Sequence, residues 1–247
     1  MKPYLLLACA LLSVCFALPS TAQADSRCFE LRTYHAMPGK LEALEARFRD
    51  HTCKLFEKHG FVNVGYWVPL DNPDNLLLYV IASPDRDAHK KSWKEFMTDP
   101  EWKKVREESE VNGKIVGKVD SVYLAASDVS PAIEPVNKPP RIFELRTYTT
   151  PPGKLDALQT RFRDHTLALF TKHGMTNVAY WTVAKEESNQ LIYILAHDSK
   201  ESAAKSFESF FADPEWVAVK EASEVNGPIV EKVDSVFMQA VDFSPIR

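Results

Sequence analysis

The sequence predicts an α+β fold built twice over, in which two copies of one strand-and-helix unit pack sheet to sheet. Three observations predict it: a gapless internal repeat, a strand-helix-strand-strand-helix-strand order within each copy, and too few helices to cover both faces of either sheet.

The repeat has a constant offset of 114 residues, as from Phe29-Glu-Leu-Arg-Thr-Tyr34 to Phe143-Glu-Leu-Arg-Thr-Tyr148. The same offset carries Arg47-Phe-Arg-Asp-His-Thr52 onto Arg161–Thr166, Tyr66-Trp67 onto Tyr180-Trp181, and Asp99-Pro-Glu-Trp102 onto Asp213–Trp216. Roughly half of the aligned positions are identical, far above chance for so long a period. This is a tandem duplication, with repeat 1 over 25–124 and repeat 2 over 142–247. Between them, 125–141 carries Pro131, Pro135, Pro139 and Pro140 without strand or helix periodicity, and reads as a stiff, extended linker.

Within repeat 1, Phe29 to Tyr34 alternates apolar and polar residues as a strand does, and Pro38-Gly39 ends it. From Lys40 to His59, Leu41, Leu44, Phe48, His51 and Leu55 recur every three or four residues, which predicts an amphipathic helix stopped by Gly60. Asn63–Val68 and Leu76–Ala82 read as strands joined by the turn Asp71-Asn-Pro-Asp74. A helix follows over 85–97, and Asp99-Pro100 caps a fresh helical segment that Asn112-Gly113 ends. Lys118–Leu124 is the last strand. This is the ferredoxin-like β-α-β-β-α-β order. Two helices cover one sheet face, so the other is expected to meet its sibling in the second repeat, giving one barrel with helices outside and a monomer closed by its own repeats. Further oligomerisation is left open.

Composition sets the class. The 247 residues are 45% hydrophobic and 26% charged, an ordinary globular range, and the net charge of −4 gives no footprint for nucleic acid or an anionic membrane surface. Residues 1–24 read as a signal peptide: Lys2, an apolar run from Tyr4 to Leu18, Pro19, then Ala22-Gln-Ala24 as the cleavage site. Export to a periplasmic or extracellular compartment is the expectation, with no membrane segment after cleavage. That would leave two cysteines, Cys28 and Cys53, in a compartment that tolerates disulfides. The descending helix brings Cys53 back level with the start of the first strand, so a bridge and a pair of inert buried thiols both remain open.

Strand alternation puts Phe29, Leu31 and Thr33 on one face and Glu30, Arg32 and Tyr34 on the other. With the apolar set assigned to the helices, Glu30, Arg32, Tyr34 and their counterparts Glu144, Arg146 and Tyr148 are aimed at the inter-sheet space. A buried carboxylate and guanidinium must bond each other or a ligand, so the set is either a ligand-orienting cluster or an internal ion pair that fixes sheet register. Tyr66-Trp67 and Tyr180-Trp181 place one aromatic on each face of the second strand, as cavity lining or as core. His51 and His165 fall on the buried helix stripe, as a base, a haem ligand or a satisfied core histidine. No metal-ligand spacing, phosphate loop or serine-hydrolase elbow is present, and neither a metal nor a cofactor is expected beyond the haem alternative.

Phe-Glu-Leu-Arg-Thr-Tyr, Pro-Gly-Lys-Leu, a phenylalanine-bearing helix ending in His-Gly, Tyr-Trp and Asp-Pro-Glu-Trp, in this order and twice, resemble the NIPSNAP family. The resemblance spans nearly all of 25–247 and implies the dimeric α/β-barrel superfamily, which holds cofactor-independent monooxygenases, haem-degrading enzymes and small isomerases. Eukaryotic members are linked to mitochondrial and vesicular interactions. Glu30, Arg32, Tyr34, Gly39 and Trp67 match the family pattern; the third strand departs from it, with Leu78-Tyr79-Val80 where histidine and tryptophan are common. The leading expectation is an exported barrel that binds a small apolar or planar molecule, with oxygenase- or isomerase-like chemistry as an extension. The rivals are a non-enzymatic interaction module with a solid core, and a haem-binding barrel.

Overall fold

The computed structural model describes residues 25–136, 141–185 and 189–247. The expected signal segment, and Pro139 and Pro140 of the expected linker, lie outside the described residues. Repeat 1 comprises β1 (Cys28–Ala36), α1 (Leu41–Arg47), a π turn (Phe48–Thr52), α2 (Cys53–Lys58), β2 (Val62–Pro69), β3 (Leu76–Ser83), α3 (Arg86–Thr98), α4 (Pro100–Ser109) and β4 (Val116–Ala126). Repeat 2 copies it: β5 (Ile142–Thr149), α5 (Leu155–Arg161), a π turn (Phe162–Thr166), α6 (Leu167–Lys172), β6 (Thr176–Val183), β7 (Gln190–His197), α7 (Lys200–Ala212), α8 (Pro214–Ser223) and β8 (Lys232–Ala240). Among the described residues no helix is long and apolar enough to cross a membrane.

The eight strands close one antiparallel barrel in the order β1-β3-β2-β8-β5-β7-β6-β4. Each repeat contributes four neighbouring strands. The seams are β2 with β8, through Trp67–Pro69 and Met238–Ala240, and β4 with β6, through Leu124–Ala126 and Trp181–Val183. Closure removes the unpaired edges that two separate sheets would leave at these positions.

The barrel interior is a packed apolar core shared by both repeats, with Phe29, Trp67, Val80, Phe143, Trp181 and Ile194 each at most 1% exposed. Phe29 meets Trp181, and Phe143 meets Trp67, both with ring centroids 5.9 Å apart. A second core lies under the helices of each repeat. In repeat 1 it holds Phe48, Phe56, Tyr66, Tyr79 and Phe96; in repeat 2 it holds Phe162, Phe170, Tyr180, Tyr193 and Phe210. Trp102 anchors α4 by packing 4.5 Å from Phe96, and Trp216 does the same at 4.4 Å from Phe210.

Each repeat also lends the other a strap. After β4, Ser127 N–H donates to the Tyr180 carbonyl and Tyr180 N–H to Ser130 Oγ, while Val129 enters the helix-side core of repeat 2. After β8, Val241 N–H donates to the Tyr66 carbonyl and Tyr66 N–H to Ser244 Oγ, and Val241 and Phe243 pack into repeat 1. Asp242 clamps Arg49 through both carboxylate oxygens at 2.8 Å, and Asp128 pairs with Arg163.

The fold tightens around one glycine. A methyl group on Gly65 would stand 2.1 Å from Cη2 of Trp67, because the indole lies over that residue inside the barrel. Gly65→Ala is therefore expected to cost about 1–3 kcal/mol by overpacking, read as a lowered urea midpoint at unchanged slope. The reverse change at the equivalent position, Ala179→Gly, should show no such steric penalty.

Candidate functional site

The polar face of β1 points at the helices rather than into the barrel, which reverses the expected assignment. Glu30, 1% exposed, lies under α3, where it accepts from Arg32 Nη1 at 2.6 Å, His89 Nε2 at 2.8 Å and Trp93 Nε1 at 2.8 Å. His89 Nδ1 faces Ser83 Oγ at 3.0 Å. In repeat 2, Glu144 is equally buried and bonds Arg146 and His197, the latter at 3.3 Å. The reason is supply of partners. A carboxylate under the helices reaches indole and imidazole N–H groups, whereas the barrel interior consists almost wholly of apolar side chains.

Burial raises the Glu30 carboxyl, but the His89 hydrogen bond, the Arg32 charge and the Trp93 N–H outweigh it and hold it below the ordinary carboxylate range. Glu144 follows the same balance through His197 and Arg146.

Above these pairs, each repeat opens a cleft between sheet and helices. In repeat 1 it measures about 490 Å³ and is lined by Arg32, Tyr34, Arg47, Trp93, Trp102 and Lys114, among others. In repeat 2 a cleft of about 550 Å³ is lined at equivalent positions by Arg146, Tyr148, Arg161, Trp216 and Pro228. The Arg32 guanidinium sits 4.4 Å from the Trp93 ring centroid, and Arg47 sits 5.3 Å from that of Trp102. Arg47 is held by Ser109 and Glu110, both at 3.3 Å, and Arg161 by Ser223 and Glu224. A further cleft of about 570 Å³ lies beside Ile142, Gln239 and Asp242, but Asp242 is already committed to Arg49.

The other sequence candidates divide. Tyr66 and Tyr180 lie under the helices, stacked on Tyr79 and Tyr193 at 5.2 and 4.9 Å, and each hydroxyl bonds an asparagine, Asn63 and Asn177 respectively. Trp67 and Trp181 belong to the barrel core, and their indole N–H groups have no partner there. His51 and His165 are exposed, a correction to the buried stripe. Ordinary spacing accounts for it: Leu44, Phe48, Thr52 and Phe56 follow one another at i+4, so Thr52 lies near the centre of the stripe and His51 at its edge, and Thr52 Oγ1 donates to the Arg47 carbonyl five residues back. Thr166 repeats the arrangement with Arg161. Cys28 and Cys53 are free thiols in different surroundings. Cys28 sits near Arg86, and Cys53 lies beside Tyr66, where burial pushes its thiol up to about 11.

Sequence reasoning missed His89, Trp93, Arg47, Glu110 and His197. Two signals were present: His89, Trp93 and Phe96 fall on one face of α3 by spacing, and the Arg47–Glu110 pair recurs as Arg161–Glu224 at the repeat offset.

A closed antiparallel barrel of two ferredoxin-like halves, with clefts under its helix layers, defines the dimeric α/β-barrel class. The NIPSNAP family model matches residues 29–131 and 143–245, and the chain belongs to that family. No curated protein matches it. Among solved structures, it is similar to a candidate monooxygenase from Lactobacillus acidophilus NCFM at 10% identity, with a TM-score of 0.58 over 89% of this chain and 98% of that one. A candidate monooxygenase from Fusobacterium nucleatum subsp. nucleatum is 8% identical, with a TM-score of 0.56 over 88% and 94%. A NIPSNAP family protein of unknown function from Agrobacterium tumefaciens is 22% identical, covering 43% of this chain and 94% of its own, with a TM-score of 0.39. The first two likenesses show the fold.

The buried ion pair makes stability depend on pH. A depressed folded-state carboxyl stabilises the protein above its unfolded titration, near pH 4.3, and that contribution is lost as pH falls through the lower folded value. Glu30→Gln is expected to cost about 2–3 kcal/mol at pH 7. The gap to the wild type should shrink as the pH is lowered past the carboxylate range, which urea titrations at pH 7, 5 and 3 would follow.

Proposed function

We propose that this chain is a small-molecule-binding barrel that takes apolar or planar ligands in its two helix-sheet clefts. The observation that carries the reading is that cavities of about 490 and 550 Å³ recur at the same place in both repeats, while the inter-sheet space is filled by aromatic side chains. Such volumes fall in the range of ligand sites, and each cleft combines rings with a few convergent cations. The binding reading therefore moves from the barrel interior to the layer outside it. Export of the mature chain is part of the proposal and rests on the N-terminal sequence alone.

Chemistry of an oxygenase or isomerase kind extends this reading. The names of the monooxygenase neighbours suggest it, and it would act on whatever the clefts hold. Oxygen uptake on mixing the protein with a bound compound, absent with either component alone, would support the extension.

A thermal-shift screen of naphthalene- and quinone-sized compounds tests binding. At least one class is expected to stabilise the protein and to lose its effect when Val119→Trp and Val233→Trp fill the two clefts together. Stabilisation that survives in this double variant, with its circular dichroism unchanged, would place binding elsewhere and remove the proposal.

A further inference from the structure

The two clefts are built on one plan, yet their central arginines are in different states. In repeat 2, Arg146 spends its guanidinium on the protein: Nε donates to the Tyr193 hydroxyl at 3.0 Å, Nη1 to Glu144, and Nη2 to the Tyr148 hydroxyl at 3.4 Å. In repeat 1, Arg32 donates through Nη1 alone, to Glu30 at 2.6 Å. Its Nε is buried without a hydrogen bond, as is the Tyr79 hydroxyl that would correspond to the acceptor on Tyr193. The Nε is enclosed, so the donor Arg32 offers to the cleft is Nη2, which makes no hydrogen bond to the protein on a side chain that is 17% exposed.

The surroundings diverge in the same sense. Lys114 lines the first cleft and has no ion-pair partner among the described residues; its counterpart in the second is Pro228. Trp93, whose ring stacks on the Arg32 guanidinium, becomes Phe207, and Met97 becomes Phe211. One cleft joins an unsaturated guanidinium and a free ammonium to an aromatic wall of Trp93, Phe96 and Trp102. The other has all three nitrogens of its arginine bonded to the protein and carries Lys220, the counterpart of Arg106, but nothing in place of Lys114.

From this difference we infer that the duplicated clefts have separate ligand classes: the repeat 1 cleft binds a planar or alkyl organic acid through its carboxylate, and the repeat 2 cleft binds neutral apolar molecules. The inference rests on the cleft-binding reading and adds charge selectivity to it. A carboxylate satisfies the spare Arg32 donor with a charge-assisted hydrogen bond and gains the attraction of Lys114, while the rings take the apolar body. In repeat 2 the same carboxylate would meet an arginine whose three nitrogens are already each bonded to the protein, with no counterpart of Lys114 beside it.

The test compares 2-naphthoate with its neutral counterpart 2-naphthamide by titration calorimetry on the full mature chain. Naphthoate is expected to bind one equivalent per chain, at least fivefold tighter than naphthamide binds at that cleft. Lys114→Glu should weaken naphthoate about tenfold and naphthamide by no more than about twofold. Arg32→Lys, which keeps the charge beside Glu30 but not the fork, should lower naphthoate affinity too. Conversely, Tyr193→Phe with Pro228→Lys should raise naphthoate stoichiometry towards two. Equal affinity for both compounds, indifferent to Lys114→Glu, would overturn the charge assignment while leaving the clefts as binding sites. If neither compound bound at millimolar concentration, both this inference and the cleft reading would fall.

Discussion

A four-stranded β-α-β-β-α-β sheet has one face its own helices cannot reach and two edges its own strands cannot pair. Everything else in this protein follows from burying that face and those edges against a second copy of itself. The seams β2–β8 and β4–β6 satisfy the edges, and Phe29, Trp67, Phe143 and Trp181 fill the space between the faces. Interiors of this kind stabilise through apolar area removed from water, about 25 cal/mol per Å², and hold few groups that need a partner. The straps after β4 and β8 add a reciprocal lock, because each binds the backbone of the second strand of the other repeat. Neither half could keep these contacts alone.

That division of labour explains which part of the sequence was legible. The repeat, the element order and the closed barrel could all be read from periodicity and turn chemistry, since each is a local or internally repeated signal. The facing of β1 could not. Alternation separates Phe29, Leu31 and Thr33 from Glu30, Arg32 and Tyr34, but when both faces of a sheet are buried it does not say which set meets the helices. Partner supply decides the question: the layer between sheet and helices holds His89 and Trp93 in repeat 1 and His197, on β7 itself, in repeat 2, while the opposite sheet offers almost none. The helix stripe could be read more narrowly than the i+3 steps allow. Leu44, Phe48, Thr52 and Phe56, and Leu158, Phe162, Thr166 and Phe170, recur at i+4 and are all buried, while His51 and His165 sit at the edge of that stripe and face solvent. The straps, by contrast, left a trace in the recurrence of Asp128-x-Ser-Pro131 as Asp242-x-Ser-Pro245, with β4 itself running to Ala126 inside the stretch read as linker.

Comparing the repeats separates what the fold requires from what it leaves free. The buried carboxylate is required: Glu30 and Glu144 are both 1% exposed, and each receives an imidazole, though from different elements. In repeat 1 the imidazole is His89 on α3, opposite Ser83 on β3; in repeat 2 it is His197 on β7, opposite Ala203 on α7. The histidine has changed element while a serine and an alanine make room on the other side. Such an exchange keeps a hydrogen bond and conserves volume in one pocket, which identifies the glutamate as the constraint and the histidine as one means of meeting it.

The clefts show the opposite pattern. Arg32 and Arg146 occupy the same place, and Tyr79 and Tyr34 stand where Tyr193 and Tyr148 do, yet Arg32 makes neither of the hydroxyl bonds that Arg146 makes. Lys114 against Pro228, Trp93 against Phe207 and Met97 against Phe211 likewise differ without an exchange elsewhere. Where a difference costs stability, this protein balances it within the same layer, as the two histidines do. Where differences stand unbalanced around a solvent-connected cavity, folding has not constrained them, and a duplicated chain is free to give its two halves different surfaces within one barrel.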